Sequence, residues 1–220
     1  MTNDLQDVFS QYQKKNIPLK LIQKLPSGKE ANVYIVQAGT QTYVLKIYKD
    51  YATRSFQQNQ EYLAGKYTRR KTERKAMARR SRYGKKLMQR LWIKREFYLL
   101  RKLHGAGGDV PEPIEMTNDS ILMEFIGKDG SPAALLKDVH LSPKESKQVY
   151  NRISHNIDLF YNNGIVHGDL SPFNILYSDG HIYIIDLPQA ADIRTNPNAD
   201  ELLTRDRKNV DEWYERNKEK

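Results

Sequence analysis

Hydrophobic positions near the N-terminus first follow helical spacing and then form the short runs typical of strands. Apolar residues over 5–12 share one helical face, which predicts a helix capped at Asn3 or Asp4. Residues 18–26 and 32–49 carry runs of Ile, Leu, Val and Tyr interrupted by turn-forming sequences, and these runs predict three strands. The second interruption, QAGTQT, has the composition of a hairpin turn. The first part of the chain is therefore predicted to be a small antiparallel sheet with a helix before it.

From residue 91 onward the hydrophobic spacing is mostly helical. A helical face over 91–103 ends at the glycines of 105–108. The sequence SPKE at 142–145 is a capping box with Pro at the first helical position, and the helix that it starts is predicted to end near Gly164. The other predicted elements are extended pieces over 110–116 and 120–127, short strands over 165–187 and a helix over 198–215. Because Pro111 and Pro113 each lack an N–H, the first extended piece is predicted to lie at a sheet edge.

The order of these elements, strands plus one helix followed mostly by helices, predicts an α+β fold with two lobes. The N-lobe is predicted over residues 1–124 and the C-lobe over 125–220, with a connector near 124–130. A length of 220 residues fits one to two domains, and 39% hydrophobic residues suffice for a packed core.

Composition excludes several classes of protein. The chain has no cysteine, which excludes a disulfide scaffold, a thiolate zinc site, an iron–sulfur cluster and a cysteine nucleophile. No apolar run approaches the roughly 18 residues of a membrane-spanning helix. Residues 1–15 lack the basic and apolar regions of a secretory signal. A cytoplasmic location without membrane contact is the resulting expectation.

The positive charge is concentrated in one segment. The net charge is +9, and residues 66–90 hold twelve Lys or Arg against a single acidic residue. Such a segment attracts polyanions, so contact with RNA or a ribonucleoprotein through Lys66–Arg90 is one hypothesis. A solvated helix face or a loop kept for solubility is the alternative.

The strongest chemical pattern is HGDLSPFN at 167–174, followed by a second carboxylate, Asp186, after the apolar stretch IYII. A carboxylate on a loop, Asp169, can orient a hydroxyl proton. Asn174 and Asp186 offer the oxygen ligands that Mg²⁺ takes together with phosphate oxygens. The three groups form a coherent set for phosphoryl transfer, whereas His167 is expected to orient the loop rather than to exchange protons.

A second pattern lies between two predicted strands near the N-terminus. The sequence SGKEANVY at 27–34 combines a glycine with small residues, so that backbone N–H groups can approach phosphates. Lys46 follows on the next strand and can reach phosphate oxygens. Glu96 on the helix after the basic segment is the expected partner of Lys46, in the strand-lysine to helix-glutamate pairing of protein kinases.

These motifs together resemble the RIO family of atypical serine protein kinases, and its type-1 branch more than its type-2 branch. The resemblance runs from about residue 20 to the C-terminus. The motifs that carry it are SGKEANVY (27–34), LKIYK (45–49), WIKREF (92–97), MEFIG (123–127), HGDLSPFNIL (167–176), IIDLPQA (184–190) and NPNADELLTRDRKNV (196–210).

The resemblance implies a protein-kinase-like fold that binds ATP with Mg²⁺, or Mn²⁺ in its place. Asp169 would be catalytic, with Lys46 and Glu96 beside the phosphates, and Asn174 and Asp186 would bind the metal. Nucleotide contacts would come from the phosphate-covering loop and the adenine pocket, namely Ser27, Gly28, Lys29, Ala31, Asn32, Val33, Lys46, Met123, Glu124 and Ile126. In some members of the family the aspartate that matches Asp186 is transiently phosphorylated, and relatives are tied to maturation of the small ribosomal subunit.

The sequence also departs from ordinary kinases. Only 34 residues follow Asp186, which predicts a trimmed C-lobe without a normal activation segment and peptide-docking helices. The resemblance places a flexible basic insertion over about 50–90. The loop reads HGD where eukaryotic and archaeal members read HAD, and this difference indicates a bacterial source.

Several functions remain open at the level of sequence. The main activity is either that of a serine/threonine kinase with an unknown protein acceptor or that of an ATPase. A small-molecule phosphotransferase of the aminoglycoside-kinase type shares the HGD, Asn and Asp pattern, but the short tail and the basic segment disfavour it. An ATP-sensing scaffold that binds RNA with little turnover is the third alternative.

Overall fold

The chain forms two compact units. The computed structural model describes residues 3–26, 28, 30–49, 71–79, 81–128 and 130–219. Unit 1 comprises Met1–Tyr98 with Pro113–Glu124, and unit 2 comprises Leu99–Glu112 with Phe125–Lys220. The sequence-based division assigned residues 99–112 to the first lobe. In the structure these residues belong to unit 2, because Asp109 is bonded to two of its elements. The Asp109 N–H donates to Oδ1 of Asn156, and the Asp109 carbonyl accepts from the Ile184 N–H.

Five helices and twelve strands are present in the described part of the chain. The helices are α1 (Asn3–Gln13), α2 (Lys71–Ala78), α3 (Arg82–Gly105), α4 (Pro143–Asn162) and α5 (Ala199–Asn217). The strands are β1 (Lys20–Lys24), β2 (Ala31–Ala38), β3 (Gln41–Tyr48), β4 (Pro113–Met116), β5 (Ser120–Glu124), β6 (Gly127–Lys128), β7 (Ser131–Pro132), β8 (Ala134–Leu135), β9 (Ile165–Val166), β10 (Ile175–Ser178), β11 (His181–Ile184) and β12 (Ala191–Asp192). Two single-turn 3₁₀ helices span Leu136–Asp138 and Pro172–Asn174. None of the described helices is long and apolar enough to cross a membrane.

Unit 1 is built on an antiparallel sheet in the order β1-β2-β3-β5-β4. The predicted hairpin is confirmed, because Ala38 pairs with Gln41 across a two-residue turn. Gly39 in that turn has φ +60°, a conformation that glycine adopts without strain. The strand that begins at Pro113 lies at the sheet edge as predicted.

Helix α1 packs on this sheet and completes its core. Leu5, Val8 and Tyr12 are buried against side chains of β2, β3 and β5. The Tyr12 hydroxyl is 3.2 Å from Ser120 Oγ, and burial raises the pKa of the Tyr12 phenol. The helix begins at Asn3, so the two residues predicted as caps lie in its first turn.

Helices cover much of the described basic segment. The prediction of a flexible insertion through residue 90 was wrong for residues 71–78 and 82–90, which are helical; residues 50–70 lie outside the described part. A Cβ at Gly84 would clash with the Ala76 carbonyl oxygen, so the missing side chain lets the first turn of α3 approach the end of α2 closely. Arg and Lys are good helix formers, which explains a helix without a regular apolar stripe.

Unit 2 contains α4, α5 and three small antiparallel sheets. The predicted capping box is confirmed at the start of α4, where Ser142 and Glu145 satisfy each other's backbone N–H groups. Helix α4 ends before Gly164, whose φ is +76°. Strands β11, β10 and β8 form one sheet, and β12 pairs with β9. These short strands hold the loops that carry Asp169 and Asp186.

Candidate active site

In unit 1, Lys46 and Glu96 form a buried ion pair. Strand β3 points Leu45 and Ile47 into the core and Lys46 to the opposite face, because successive side chains alternate. The Lys46 Nζ donates to Glu96 Oε1 at 2.8 Å, and the two side chains are 13% and 3% exposed. The other carboxylate oxygen of Glu96 is buried and accepts no hydrogen bond from the described residues. The pair predicted from the sequence is therefore present.

The Lys46 ammonium lies over the aromatic ring of Tyr48. Its Nζ lies 5.2 Å from the ring centroid of Tyr48. The Tyr48 ring meets Trp92 edge to face, with centroids 5.4 Å apart and planes at 82°. A cation over a ring face is attracted to it. Lys46 is thus held by a carboxylate from α3 and a ring from its own strand.

The candidate phosphate-covering loop joins β1 to β2. Gly28 has open space where a side chain would stand, and Lys49 Nζ donates to its carbonyl at 2.9 Å. Ala31 is buried at the start of β2, and Asn32 and Val33 are half-buried. The predicted contacts Ser27 and Lys29 lie outside the described residues.

The predicted adenine contacts are the last two residues of β5, Met123 and Glu124, and Ile126, which follows the strand. Met123 pairs with Val44 of β3 and is 8% exposed, and Glu124 pairs with Tyr43. Ile126 belongs to unit 2 and is buried. Its carbonyl accepts a hydrogen bond from the Ala133 N–H at 3.0 Å.

In unit 2, Asn174 fixes the loop that carries Asp169. Its Nδ2 donates to the Asp169 carbonyl at 2.8 Å and lies 3.4 Å from Oδ2 of the Asp169 carboxylate. The Asn174 carbonyl in turn accepts from the Ile185 N–H at 2.9 Å. The next residue, Asp186, has φ +68°, which is uncommon for a residue other than glycine. The structure thus joins the segments of all three predicted phosphoryl-transfer residues.

His167 is buried beneath this loop. The Asp169 N–H donates to Nδ1 of His167 at 3.3 Å, so the ring proton belongs on Nε2. Nε2 lies 3.2 Å from the Ile185 carbonyl and donates to it. His167 therefore ties the Asp169 loop to the segment that carries Asp186, in agreement with the orienting role expected from the sequence.

Asp206 on α5 is a site-supporting residue that the sequence analysis missed. Its carboxylate accepts the N–H groups of Gly168 at 2.7 Å and Leu170 at 2.8 Å, the two neighbours of Asp169. Asp206 is 1% exposed, and burial raises the pKa of its carboxyl although both hydrogen bonds act in the opposite direction. Arg205 donates to the Gly168 carbonyl. The segment 196–210 was noted as a motif, but its spacing to Asp169 gives no sign of this contact.

Gly168 is required by the same arrangement. Its φ is +79°, and a Cβ there would stand 2.7 Å from the Gln189 carbonyl oxygen. A side chain would therefore push the Asp169 loop away from the segment that follows Asp186.

The residues present fit a hard cation such as Mg²⁺. The Asn174 amide nitrogen points to Asp169, so its Oδ1, which accepts no hydrogen bond from the described residues, is the atom left for a metal. Asp186 adds a carboxylate. No group of three or more His, Cys, Asp or Glu that could hold a metal occurs among the described residues. A cation here would take further oxygens from phosphate or water, as Mg²⁺ commonly does.

The two-unit fold, with a buried strand-lysine to helix-glutamate pair in one unit and an Asp–Asn loop in the other, is of the protein-kinase-like class. The chain is similar in fold to the crystal structure of the Rio2 kinase from Chaetomium thermophilum, with a TM-score of 0.68 at 23% identity. That match covers 96% of this chain and 60% of the Rio2 chain.

The RIO domain family model matches residues 32–220. The chain therefore belongs to the RIO domain family, as the motifs predicted.

Sequence relatives carry the RIO1 name and support the type-1 prediction. The serine/threonine-protein kinase RIO1 of Homo sapiens is 34% identical over 194 residues, which are 87% of this chain and 33% of the human protein. The RIO-type serine/threonine-protein kinase Rio1 of Haloferax volcanii is 31% identical over 193 residues, which are 87% of this chain and 62% of that protein. The chain thus spans about a third of the human relative. The bacterial source stays a prediction.

Proposed function

We propose that this chain is a RIO-type atypical kinase or ATPase that transfers the terminal phosphoryl group of Mg-ATP to a serine or threonine hydroxyl or to water. The observation that carries the proposal is the Asp169–Asn174 contact. The amide nitrogen of Asn174 faces the carboxylate, so a base and a metal-binding oxygen come from one loop. Membership of the RIO domain family supports the same reaction.

Each candidate residue has a distinct task in this proposal. Asp169 orients the attacking hydroxyl and accepts its proton. Asn174 and Asp186 hold Mg²⁺, which when bound neutralises phosphate charge. Lys46, positioned by Glu96, contacts phosphate oxygens. Backbone N–H groups of the loop between β1 and β2, described at residues 28 and 30–33, cover them.

The adenine end of ATP is assigned to the last two residues of β5 and to Ile126, which follows that strand. Met123 closes the back of the adenine pocket, and the backbones of Glu124 and Ile126 hydrogen-bond to the base edge. Since the Ile126 carbonyl already accepts from Ala133, its N–H is the group proposed to donate to adenine.

The test is ATP turnover by the wild-type chain and by Asp169→Asn. The matched control is Asp158→Asn, an exposed carboxylate on α4 that pairs with Arg207. Loss of the base should lower kcat by at least about a hundredfold while ATP binding persists. Equal turnover in Asp169→Asn and in the control would refute the role of Asp169.

The same assay separates the alternative functions. Binding of ATP by the wild-type chain without any turnover would favour the ATP-sensing scaffold, and transfer of phosphate to an aminoglycoside would favour the small-molecule phosphotransferase.

RNA is a second candidate partner, favoured by one face of α3. Lys86, Arg90 and Lys94 are exposed at intervals of four residues, so they follow one another along the helix surface. Tyr83 and Tyr98 on the same helix are 59% and 50% exposed. Cations bind phosphates and exposed rings stack on unpaired bases, so a single-stranded RNA or a ribosomal particle fits this face.

The salt dependence of RNA binding tests this partner. Replacing Lys86, Arg90 and Lys94 by Ser should flatten the plot of log affinity against log salt, by up to about 0.7 in slope for each lost phosphate contact. Lys208→Ser with Arg216→Ser on α5, two cations that lie near Glu212, is the control. An unchanged slope would mean that the α3 face is only solvated.

A further inference from the structure

A large aromatic side chain stands in solvent directly beside the candidate catalytic residues. Phe173 is 64% exposed, more than any other exposed large hydrophobic residue of the described chain. It lies in the 3₁₀ turn Pro172–Asn174, immediately before the residue that contacts Asp169. The Asn174 N–H donates to the Ser171 carbonyl at 2.9 Å, and this bond fixes the turn. The ring is therefore held at a defined place next to Asp169.

Lys137 covers part of this ring. Its Nζ lies 5.4 Å from the Phe173 centroid. The lysine belongs to the 3₁₀ turn Leu136–Asp138, which follows β8, and β8 pairs with β10 directly after the Asp169 loop. Leu136 is 1% exposed and anchors the turn. The lysine is thus held beside the ring by the same small sheet that supports the catalytic loop.

The cation decides which side chains the ring can accept. A bare phenyl face attracts both cations and apolar groups. The Lys137 ammonium, which also pairs with Asp138 Oδ1 at 2.5 Å, already occupies the cation position over the ring. An apolar or aromatic side chain is therefore the better occupant of the remaining ring surface. Covering the exposed ring surface would also remove apolar area from water.

The neighbouring sequence explains why acceptor recognition falls to this loop. The twelve residues between Asp186 and α5 contain one short strand, β12, among described residues 187–198. An ordinary kinase uses a longer segment at that place to bind its peptide. Asn174 Nδ2 is 3.4 Å from the Asp169 carboxylate, and Phe173 is the adjacent residue. An extended peptide advances about 3.3 Å per residue. A side chain a few positions from an acceptor serine can therefore reach the Phe173 ring while the serine lies at Asp169.

We propose that Phe173 is the docking site for an apolar side chain of the phosphoacceptor polypeptide, close in sequence to the serine or threonine that receives the phosphoryl group. The proposal rests on the proposed kinase function. It assigns the specificity of the acceptor to the catalytic loop itself, and Lys137 excludes basic side chains from the same place.

The experiment uses the full chain, Mg-ATP and a peptide set with one serine. Leu, Lys or Ala is placed at each of four positions on either side of the serine, and kcat/KM is measured for every peptide. The readout is the ratio of kcat/KM for the Leu peptide to that for the matching Ala peptide. A substitution that impairs the ATP site lowers kcat/KM for both peptides by the same factor, so the ratio measured on one enzyme variant does not change.

In the wild-type chain the ratio should reach about tenfold at one or more positions, the discrimination usual for an apolar pocket. Phe173→Ala should bring it close to one, and Phe173→Leu should keep most of it. Tyr161→Ala, which removes an exposed aromatic ring on α4, should leave the ratio unchanged. Lys137→Ala should raise kcat/KM for Lys peptides relative to Ala peptides.

Four results would overturn the site. A ratio that survives in Phe173→Ala would place the preference elsewhere. Preference for Lys peptides in the wild-type chain would contradict the role of the ring and its cation. Asp169-dependent ATP hydrolysis without phosphorylation of any peptide would remove the acceptor site but leave the proposed use of ATP intact, whereas absence of all ATP turnover would reject both proposals.

Discussion

At the scale of the residue, Asp206 connects stability with the chemistry proposed for Asp169. Its carboxylate accepts the N–H groups of the residues on both sides of Asp169, which fixes the loop backbone around the proposed base. An asparagine there has only one acceptor oxygen and leaves an N–H buried without a partner. Asp206 is thus a positioning residue that acts through the loop backbone.

Replacement of this residue tests the connection. Asp206→Asn should lower the free energy of unfolding by about 1–3 kcal/mol, the cost of an unsatisfied buried polar group. It should also lower kcat more than it raises KM for ATP, because the Asp169 loop loses a support. Urea unfolding and steady-state kinetics measure both effects. An unchanged kcat in a folded variant would contradict the positioning role.

The same residue predicts a pH dependence. Burial raises the pKa of Asp206, so the folded chain holds this proton more tightly than the unfolded chain. Its contribution to stability is therefore complete below the pKa of an unfolded aspartate, about 3.9, and declines as pH rises through the higher folded pKa. Asp206→Asn cannot ionise and lacks this decline. Unfolding free energies of both proteins across this range measure it, and parallel curves would contradict the assignment.

The Lys46–Glu96 pair makes a further prediction at this scale. Glu96→Gln removes the charge that balances Lys46 in a buried place, so stability should fall by about 3 kcal/mol and kcat/KM for ATP should decrease. Thermal unfolding and ATP kinetics are the measurements. Glu112→Gln, an exposed carboxylate, is the control. Unaffected kcat/KM in Glu96→Gln would count against a phosphate-binding role for Lys46.

At the scale of the element, the close approach of the first turn of α3 to the end of α2 depends on one glycine. The space for a side chain at Gly84 is filled by the Ala76 carbonyl, whereas Gly105 at the other end of α3 has nothing within 4 Å. Both residues belong to the same helix, so they offer a matched pair of substitutions.

Gly84→Ala should separate the two helices and destabilise unit 1 by about 1–3 kcal/mol, the usual cost of overpacking. Gly105→Ala should be neutral or slightly stabilising, because alanine favours the helix. Thermal unfolding of both variants measures the difference. Equal stability of the Gly84→Ala and Gly105→Ala variants would show that the approach of α3 to α2 does not need glycine at position 84.

Local patterns explain why most elements could be predicted from the sequence. The strands of unit 1 and the start of α4 have turn and capping signals within a few residues, so the sequence located them. The first turns of α3 carry charged residues without a continuous apolar face, so the hydrophobic pattern did not predict that they are helical. The high helix propensity of Lys and Arg accounts for the helix there.

At the scale of the whole molecule, the proximity of the candidate site residues was easier to predict than the contacts that support them. Asp169 and Asn174 are five residues apart, and this spacing predicts that they share one loop. Asp206 contacts the same loop from more than thirty residues away, and no periodicity links the two. Likewise, the 64% exposure of the Phe173 side chain depends on how the loop folds and could not be read from the sequence.

The most direct test of the central claim is ATP turnover as a function of Mg²⁺ concentration in the wild-type chain, Asp169→Asn and Asp186→Asn. If Asp169 orients the nucleophile and Asp186 binds the metal, Asp169→Asn lowers the maximal rate with little change in the Mg²⁺ midpoint. Asp186→Asn instead shifts the midpoint to higher Mg²⁺. Turnover that neither substitution changes would contradict a phosphoryl-transfer site at these residues.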